Sequence, residues 1–233
     1  LDLNYLAEAE KNGAQIWPSH IVSHIEQVSG GYTIHYQKLA KGELTEGTIT
    51  AAKVIVAAGS IGSTELLLRS RDQYATLPNI SQQLGHDWCA NGDFLTQAIY
   101  SDREVNPTQG PTITSAINLL DKTYKNQALY IEDGGLPDVL GNYLEAKLKS
   151  PWFKWVGINA HPYLKGLAEQ VRDRNPLKNM MVWFGQSQDI SNGHMYLGRN
   201  WYSPWRQTLK MDWDYKPNEP VYDAMAQMHR DLS

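Results

Sequence analysis

The stretch Val54-Ile-Val-Ala-Ala-Gly-Ser-Ile-Gly-Ser-Thr-Glu-Leu-Leu-Leu-Arg69 constrains the fold of this chain more than any other. Three β-branched residues, Val54 to Val56, predict a buried strand. Ala57, Ala58 and Gly59 then reduce side-chain volume almost to nothing, and Gly62 follows. From Ser63 the pattern turns helical. Glu65 and Arg69 stand four apart, the spacing of an exposed helix ion pair, and Leu66 to Leu68 supply apolar bulk. Strand, small-residue turn and helix is the arrangement by which α/β domains bring main chain close to a nucleotide. The spacing is Gly-x-x-Gly, however, not G-x-G-x-x-G, so the turn alone identifies nothing.

The flanks narrow the choice. Leu3, Leu6, Ala7 and Lys11 have helical spacing, ending near Gly13. Gln15-Ile-Trp-Pro18 predicts a short strand broken by proline. His20–Val28 alternates as a strand, Gly30-Gly31 turns, and Tyr32–Gln37 returns as its hairpin partner. Lys41-Gly42 turns again, and Thr48–Thr50 makes a third strand. A three-stranded antiparallel meander therefore feeds the Val54 motif.

Downstream the texture changes. Thr76–Ile80 reads as loop, and Asn91-Gly92 is a tight turn or a close main-chain approach. Phe94–Tyr100, Thr112–Leu120 and Gln127–Glu132 predict strands. Val139 to Val156 and Tyr163 to Arg172 carry helical spacing. Met180–Phe184, His194–Leu197 and Thr208–Trp213 predict three further strands, antiparallel by their short connections. A boundary falls near residues 73–80. It divides the chain into a nucleotide-type half, 1–75, and an antiparallel or mixed sheet with helices, 76–233.

Composition excludes several classes. No run of about 18 apolar residues occurs, so no transmembrane helix is expected. A net charge of −4 argues against nucleic acid as the main partner. One cysteine, Cys89, rules out an internal disulfide and reads as a small buried hydrophobe beside Trp88. Eight Trp and 13 Tyr against 3 Phe favour surfaces with an apolar body and a polar edge, as in pocket walls or a β-rich domain with aromatic faces. Leu1 opens on a helical pattern, and another is still running at Leu232. A segment of a longer protein is expected.

Taken together, these blocks resemble a known family. Leu1-Asp-x-x-Tyr-Leu-Ala, Ala58-Gly-Ser-Ile-Gly-Ser-Thr-Glu-Leu-Leu, Thr76-Leu-Pro-Asn and Asn91-Gly92 follow the order found in FAD-dependent oxidoreductases of the glucose-methanol-choline type, in the cholesterol oxidase-like branch. Leu209-Lys-Met-Asp-Trp213 is loosely similar to a strand of that family's substrate domain. The resemblance implies an α/β plus α+β fold. Residues 1–75 would form part of an FAD-binding domain with its meander, and 76–233 an incomplete substrate-binding domain. It implies oxidation of a hydroxyl on a bulky apolar, sterol-like substrate by hydride transfer to flavin. It also places the family's dinucleotide fingerprint, catalytic His and partnering Asn outside these residues. The isolated chain is therefore expected to be inactive, with the remainder of the parent chain as its partner.

The resemblance also assigns roles. Tyr130-Ile-Glu132 and Pro137 match the spacing at which the cholesterol oxidase branch carries a proton-transferring Glu, so Glu132 is the catalytic candidate. Tyr130 and Asp133-Gly-Gly depart from that branch, and Glu132 can equally open a polar turn. Val22, Ala57, Ala58 and Gly59 are implied to meet the adenosine part of FAD. Ordinary strand–helix packing needs the same small residues. Asn91 and Gly92 either approach the flavin or simply turn. His20, His24 and His35 fall on successive hairpin strands, but no carboxylate or Cys joins them at ligand spacing, so no metal is expected. A non-catalytic binding or interaction module that keeps the scaffold is the alternative.

Overall fold

The computed structural model describes residues 2–100, 102–137, 139 and 178–233. Among them the architecture is mainly antiparallel sheet with a few helices, an α+β arrangement without a barrel. The chain divides into two compact units, each assembled from two segments. One is Leu1–Trp88 with Asn192–Trp213, the other Cys89–Ser191 with Asp214–Ser233.

The first unit begins with a π-helical turn, Asp2–Leu6, that runs into helix α1 (Ala7–Lys11). Residues 14–17 form no strand, because Pro18 has no N–H to offer a ladder and Ser19 turns the chain at φ 60°. Strands β1 (His20–Val28), β2 (Gly31–Ala40) and β3 (Glu43–Ala51) then build the predicted meander in the order β1-β2-β3. The β1–β2 register slips between Val22 and His24, a bulge that leaves Ser23 without a ladder partner. Helix α2 (Gly59–Leu68) follows and continues into a π-helical turn, Arg69–Gln73. Ser70 pins this helix to the meander. Its buried hydroxyl donates to the Leu66 carbonyl at 2.9 Å and accepts from the Ile25 N–H at 2.9 Å. The Thr76 hydroxyl adds a bond to the Ile25 carbonyl at 2.7 Å.

Val54–Val56 does not form the buried strand that its composition predicts. It pairs with no strand among the described residues, and Ile55 is 91% exposed. β-Branched residues favour a strand where neighbouring ladders and a covering layer complete it. Here β3 has ended at Ala51, and among the described residues no strand pairs with this segment to complete a ladder.

The second unit is a four-stranded sheet in the order β4-β7-β6-β5, from β4 (Phe94–Ile99), β5 (Ala116–Tyr124), β6 (Gln127–Gly134) and β7 (Met180–Ser187). β5 starts later than Thr112, since the Asp133 carboxylate takes the Thr114 and Ser115 N–H groups at 2.9 and 2.6 Å. β7 enters the middle of this sheet and does not pair with its successors. Those are β8 (His194–Asn200) and β9 (Ser203–Asp212), which form a separate antiparallel hairpin belonging to the first unit. Helix α3 (Glu219–Leu232) packs on one face of the four-stranded sheet. Val221, Ala224 and Met225 meet Leu129 and Ile131 in a closed core, with Phe94, Leu119 and Trp183 around it. Each of these side chains except that of Ala224 contributes about 1.5–3 kcal/mol by leaving water. The Tyr124 hydroxyl and the Trp183 indole N–H fasten the helix end, donating to Asp231 and Ser233 at 2.8 and 3.0 Å. The helical patterns predicted from Val139 to Val156 and from Tyr163 to Arg172 lie outside the described residues, Val139 excepted.

Candidate functional site

Two places in the molecule gather the candidate residues, one in each unit. In the first unit the meander, the unpaired Val54–Ala58 segment and α2 enclose an open cleft of about 540 Å³. Val22, Ala57 and Ala58 all line it, joined by His20, Glu65 and Arg69. The β1 bulge lies at Val22, so local sheet irregularity coincides with the wall of the cleft. Gly59 stands beside Ala58 as the first residue of α2 at φ 72°, with open space where a Cβ would project.

Glu65 and Arg69 do pair, as their spacing predicts, but not as an exposed surface pair. Each side chain is about a quarter accessible, at 26%, and both face the cleft. Helical spacing reveals that two side chains meet; it does not reveal which face of the helix the rest of the fold covers. His20 was legible only as a strand residue. It packs against Trp17 and Tyr36, with ring centroids 5.3 and 4.9 Å away, which sets an aromatic cluster at the margin of an otherwise aliphatic wall. His24 and His35 lie elsewhere. They stack on each other at 4.0 Å, and Tyr74 stacks on His24 at 3.8 Å. Burial lowers the His24 pKa, and the neighbouring His35 charge lowers it further.

In the second unit, side-chain alternation separates the two faces of the sheet. Leu129, Ile131, Phe94, Thr96 and Trp183 turn toward α3. Glu132 consequently belongs to the other face. Its ladder partners are Ala116 on β5 and Phe184 on β7, and Leu95 on β4 stands opposite Phe184. Tyr130, Asn118 and Gln186 form the adjacent row. Among the described residues no helix packs over this face. Glu132 is half-buried there, beside a small Ala116 and an aromatic Phe184.

Asp133 separates the two readings of the acid pair. Burial raises its pKa, but bonds from the Thr114 hydroxyl and N–H and from the Ser115 N–H and hydroxyl outweigh this and bring it down to about 2. Asp133 is thus the residue that forms the polar turn, fastening the start of β5 to the end of β6. Among the described residues the Glu132 carboxylate has no such donors.

Asn91 and Gly92 make the turn before β4, at φ 59° and 58°. A Cβ on Gly92 would lie 2.6 Å from the Ser187 carbonyl oxygen, so the main-chain approach made there is to β7. Cys89 is half-buried rather than buried.

His229 on α3 carries no signal in the sequence. It is 2% exposed, its Nδ1 shares a 2.8 Å bond with the Thr96 hydroxyl, and its Nε2 has no partner among the described residues. Burial lowers its pKa to about 4. Phe94 and Trp183 stack near it, on the helix side of the sheet.

Comparison with known proteins adds what geometry cannot. No family model matches the chain. A cholesterol oxidase of Acinetobacter baumannii is 26% identical over 250 aligned residues, 97% of this chain and 41% of that protein. A cholesterol oxidase of Mycobacterium tuberculosis is 32% identical over 135 residues, 54% of this chain and 22% of that protein. The chain is homologous to cholesterol oxidases. That homology supports an oxidoreductase relationship. The chain spans well under half the length of either relative.

Proposed function

We propose that these residues belong to an FAD-dependent alcohol oxidoreductase of the glucose-methanol-choline type, one that oxidises a hydroxyl group on a bulky apolar, sterol-like substrate. The observation that carries this reading is similarity to cholesterol oxidases along nearly the whole chain, 97% of it. The residues that the resemblance singles out lie in two places that suit this reading. The cleft of the first unit would take the adenosine part of FAD: Val22, Ala57 and Ala58 line it with little side-chain bulk from the two alanines, and Gly59 leaves open space at the start of α2. The volume of about 540 Å³ lies in the range of small-molecule sites. Asn91 and Gly92 enter this reading as the turn that sets the start of β4.

Bound FAD would supply the two-electron acceptor for oxidation of the hydroxyl-bearing carbon. The protein's own residues bind, orient and move protons. Leu95, Phe184 and Tyr130 offer apolar and aromatic surface to a rigid hydrocarbon skeleton. Glu132 takes a proton from carbon and returns it to another position, shifting a double bond in the oxidised product. That step needs a carboxylate that is not already committed to a turn, and Asp133 leaves Glu132 in that condition.

The full-length protein that contains these residues, purified in the presence of FAD, is expected to be yellow and to bleach anaerobically on addition of a 3-hydroxysterol. A colourless protein, or a bound flavin that no alcohol reduces, overturns the reading in favour of a non-catalytic module. The 233-residue chain alone is expected to retain no stoichiometric flavin, since its cleft is open along the Val54–Ala58 side.

A further inference from the structure

His20 lines the cleft of the first unit, and no step of the proposed oxidation uses it. Its ring is fixed. Nδ1 lies 2.8 Å from the Pro18 carbonyl oxygen, and a carbonyl only accepts, so Nδ1 carries the proton and donates it. Nε2 of the neutral ring is therefore a bare acceptor. The bond to Pro18 is the one hydrogen bond this ring makes among the described residues. Trp17 and Tyr36 pack against the ring with centroids at 5.3 and 4.9 Å, Tyr36 edge-on. Trp17 is itself tied, its indole N–H donating to the Gln15 side chain at 3.2 Å. The acceptor is thus oriented before a ligand arrives, and little ordering cost is left for binding.

The other charged side chains lining the cleft are committed. Arg69 donates to Glu65, so the cleft's guanidinium and its carboxylate neutralise each other. With no free Lys or Arg among the lining residues, the cleft suits the uncharged end of a nucleotide rather than its phosphates. Ile25, Ile34, Val54, Val56 and Leu66 supply aliphatic walls for a flat ring. The register of β1 on β2 is regular from His20 to Val22 and slips only after it. These two side chains therefore share one face of the strand, roughly 7 Å apart, a separation that a purine spans. An adenine lying along this face presents its exocyclic amino group to Nε2 as a donor. A 6-oxopurine puts an oxygen lone pair in that place, where two acceptors would meet.

We infer that His20 Nε2 accepts a hydrogen bond from the exocyclic amino group of the adenine of FAD, and so makes the cleft select a 6-aminopurine over a 6-oxopurine. This rests on the flavin reading above, and its test separates the two. The full-length protein that contains these residues is freed of flavin. Equilibrium dialysis then measures its affinity for FAD and for the FAD analogue with hypoxanthine in place of adenine. The wild type is expected to bind FAD at least roughly tenfold more tightly than the analogue. His20→Phe keeps an aromatic ring against Trp17 and Tyr36 but has no acceptor, and its ratio is expected to fall to about twofold. His20→Leu gives the same loss where the phenyl ring disturbs the circular dichroism spectrum. A merely structural role for His20 would weaken both flavins alike and leave their ratio in place. An unchanged ratio in the variants, or a wild type that binds both flavins equally, overturns the inference and leaves the flavin reading standing. A wild type that binds neither flavin overturns the flavin reading, and the inference with it.

Discussion

Val54-Ile-Val56 and Leu129-Tyr-Ile131 are both short apolar runs with strand character, and they end in opposite environments. Leu129 and Ile131 are 0% and 1% exposed, whereas Ile55 is 91% exposed. Composition does not separate them. β6 has ladder partners on both sides and α3 above it, while the Val54 segment has neither among the described residues. Burial is conferred by neighbours, and an apolar run shows only that neighbours would be favourable.

The comparison breaks most visibly under truncation. Ile131→Ala should cost about 3 kcal/mol in urea unfolding, because it opens a cavity under Met225. Ile55→Ala in the same assay should change stability by less than about 0.5 kcal/mol. Equal losses at the two positions would mean that Ile55 has a covering layer after all.

Acid sharpens the contrast next. His229 is buried neutral, with its pKa lowered from 6.5 to about 4, so between these values the unfolded chain binds a proton that the folded chain refuses. Stability is complete above pH 6.5 and falls as pH drops toward 4, by on the order of 2–3 kcal/mol. The Thr96 hydroxyl, the Phe94 and Trp183 rings and Met225 surround this imidazole. His229→Phe should flatten that part of the profile, measured as urea midpoint against pH. An unchanged slope would place the acid sensitivity elsewhere.

Asp133 acts in a lower window and by a smaller amount. Its folded pKa of about 2 lies below the ordinary 3.8, so its contribution is present above 3.8 and lost as pH falls toward 2. After allowance for solvent screening this is on the order of 1 kcal/mol. Asp133→Asn should lower stability by about that much at neutral pH and remove the step below pH 4, while leaving the first unit's meander unaffected.

The sequence made some of this visible and hid the rest for identifiable reasons. Local signals carried the meander, since Gly30-Gly31 and Lys41-Gly42 dictate hairpins whatever lies around them. They also carried β4, β6 and the terminal helix, whose periodicities are self-contained. Long-range pairing was not legible. Nothing near Met180 announces that β7 joins β4 and β6, or that the β8–β9 hairpin returns to the first unit. The cleft was half legible: Val22, Ala57 and Ala58 could be picked out, but His20 and the inward-facing Glu65–Arg69 pair depend on where α2 is pinned by Ser70. Glu132 was named through the family resemblance, and its role remains a proposal. Its separation from Asp133 was not legible, because the four bonds that occupy Asp133 come from Thr114 and Ser115, some eighteen residues earlier.

That separation supports the most direct test of the proposed chemistry. In the full-length, flavin-loaded protein, Glu132→Gln should leave oxidation of a 3-hydroxysterol within a few fold of wild type. It should slow migration of the double bond in the product by at least ~100-fold, read as the ratio of unshifted to shifted ketone. Double-bond migration at the wild-type rate in that variant would contradict the role given to Glu132.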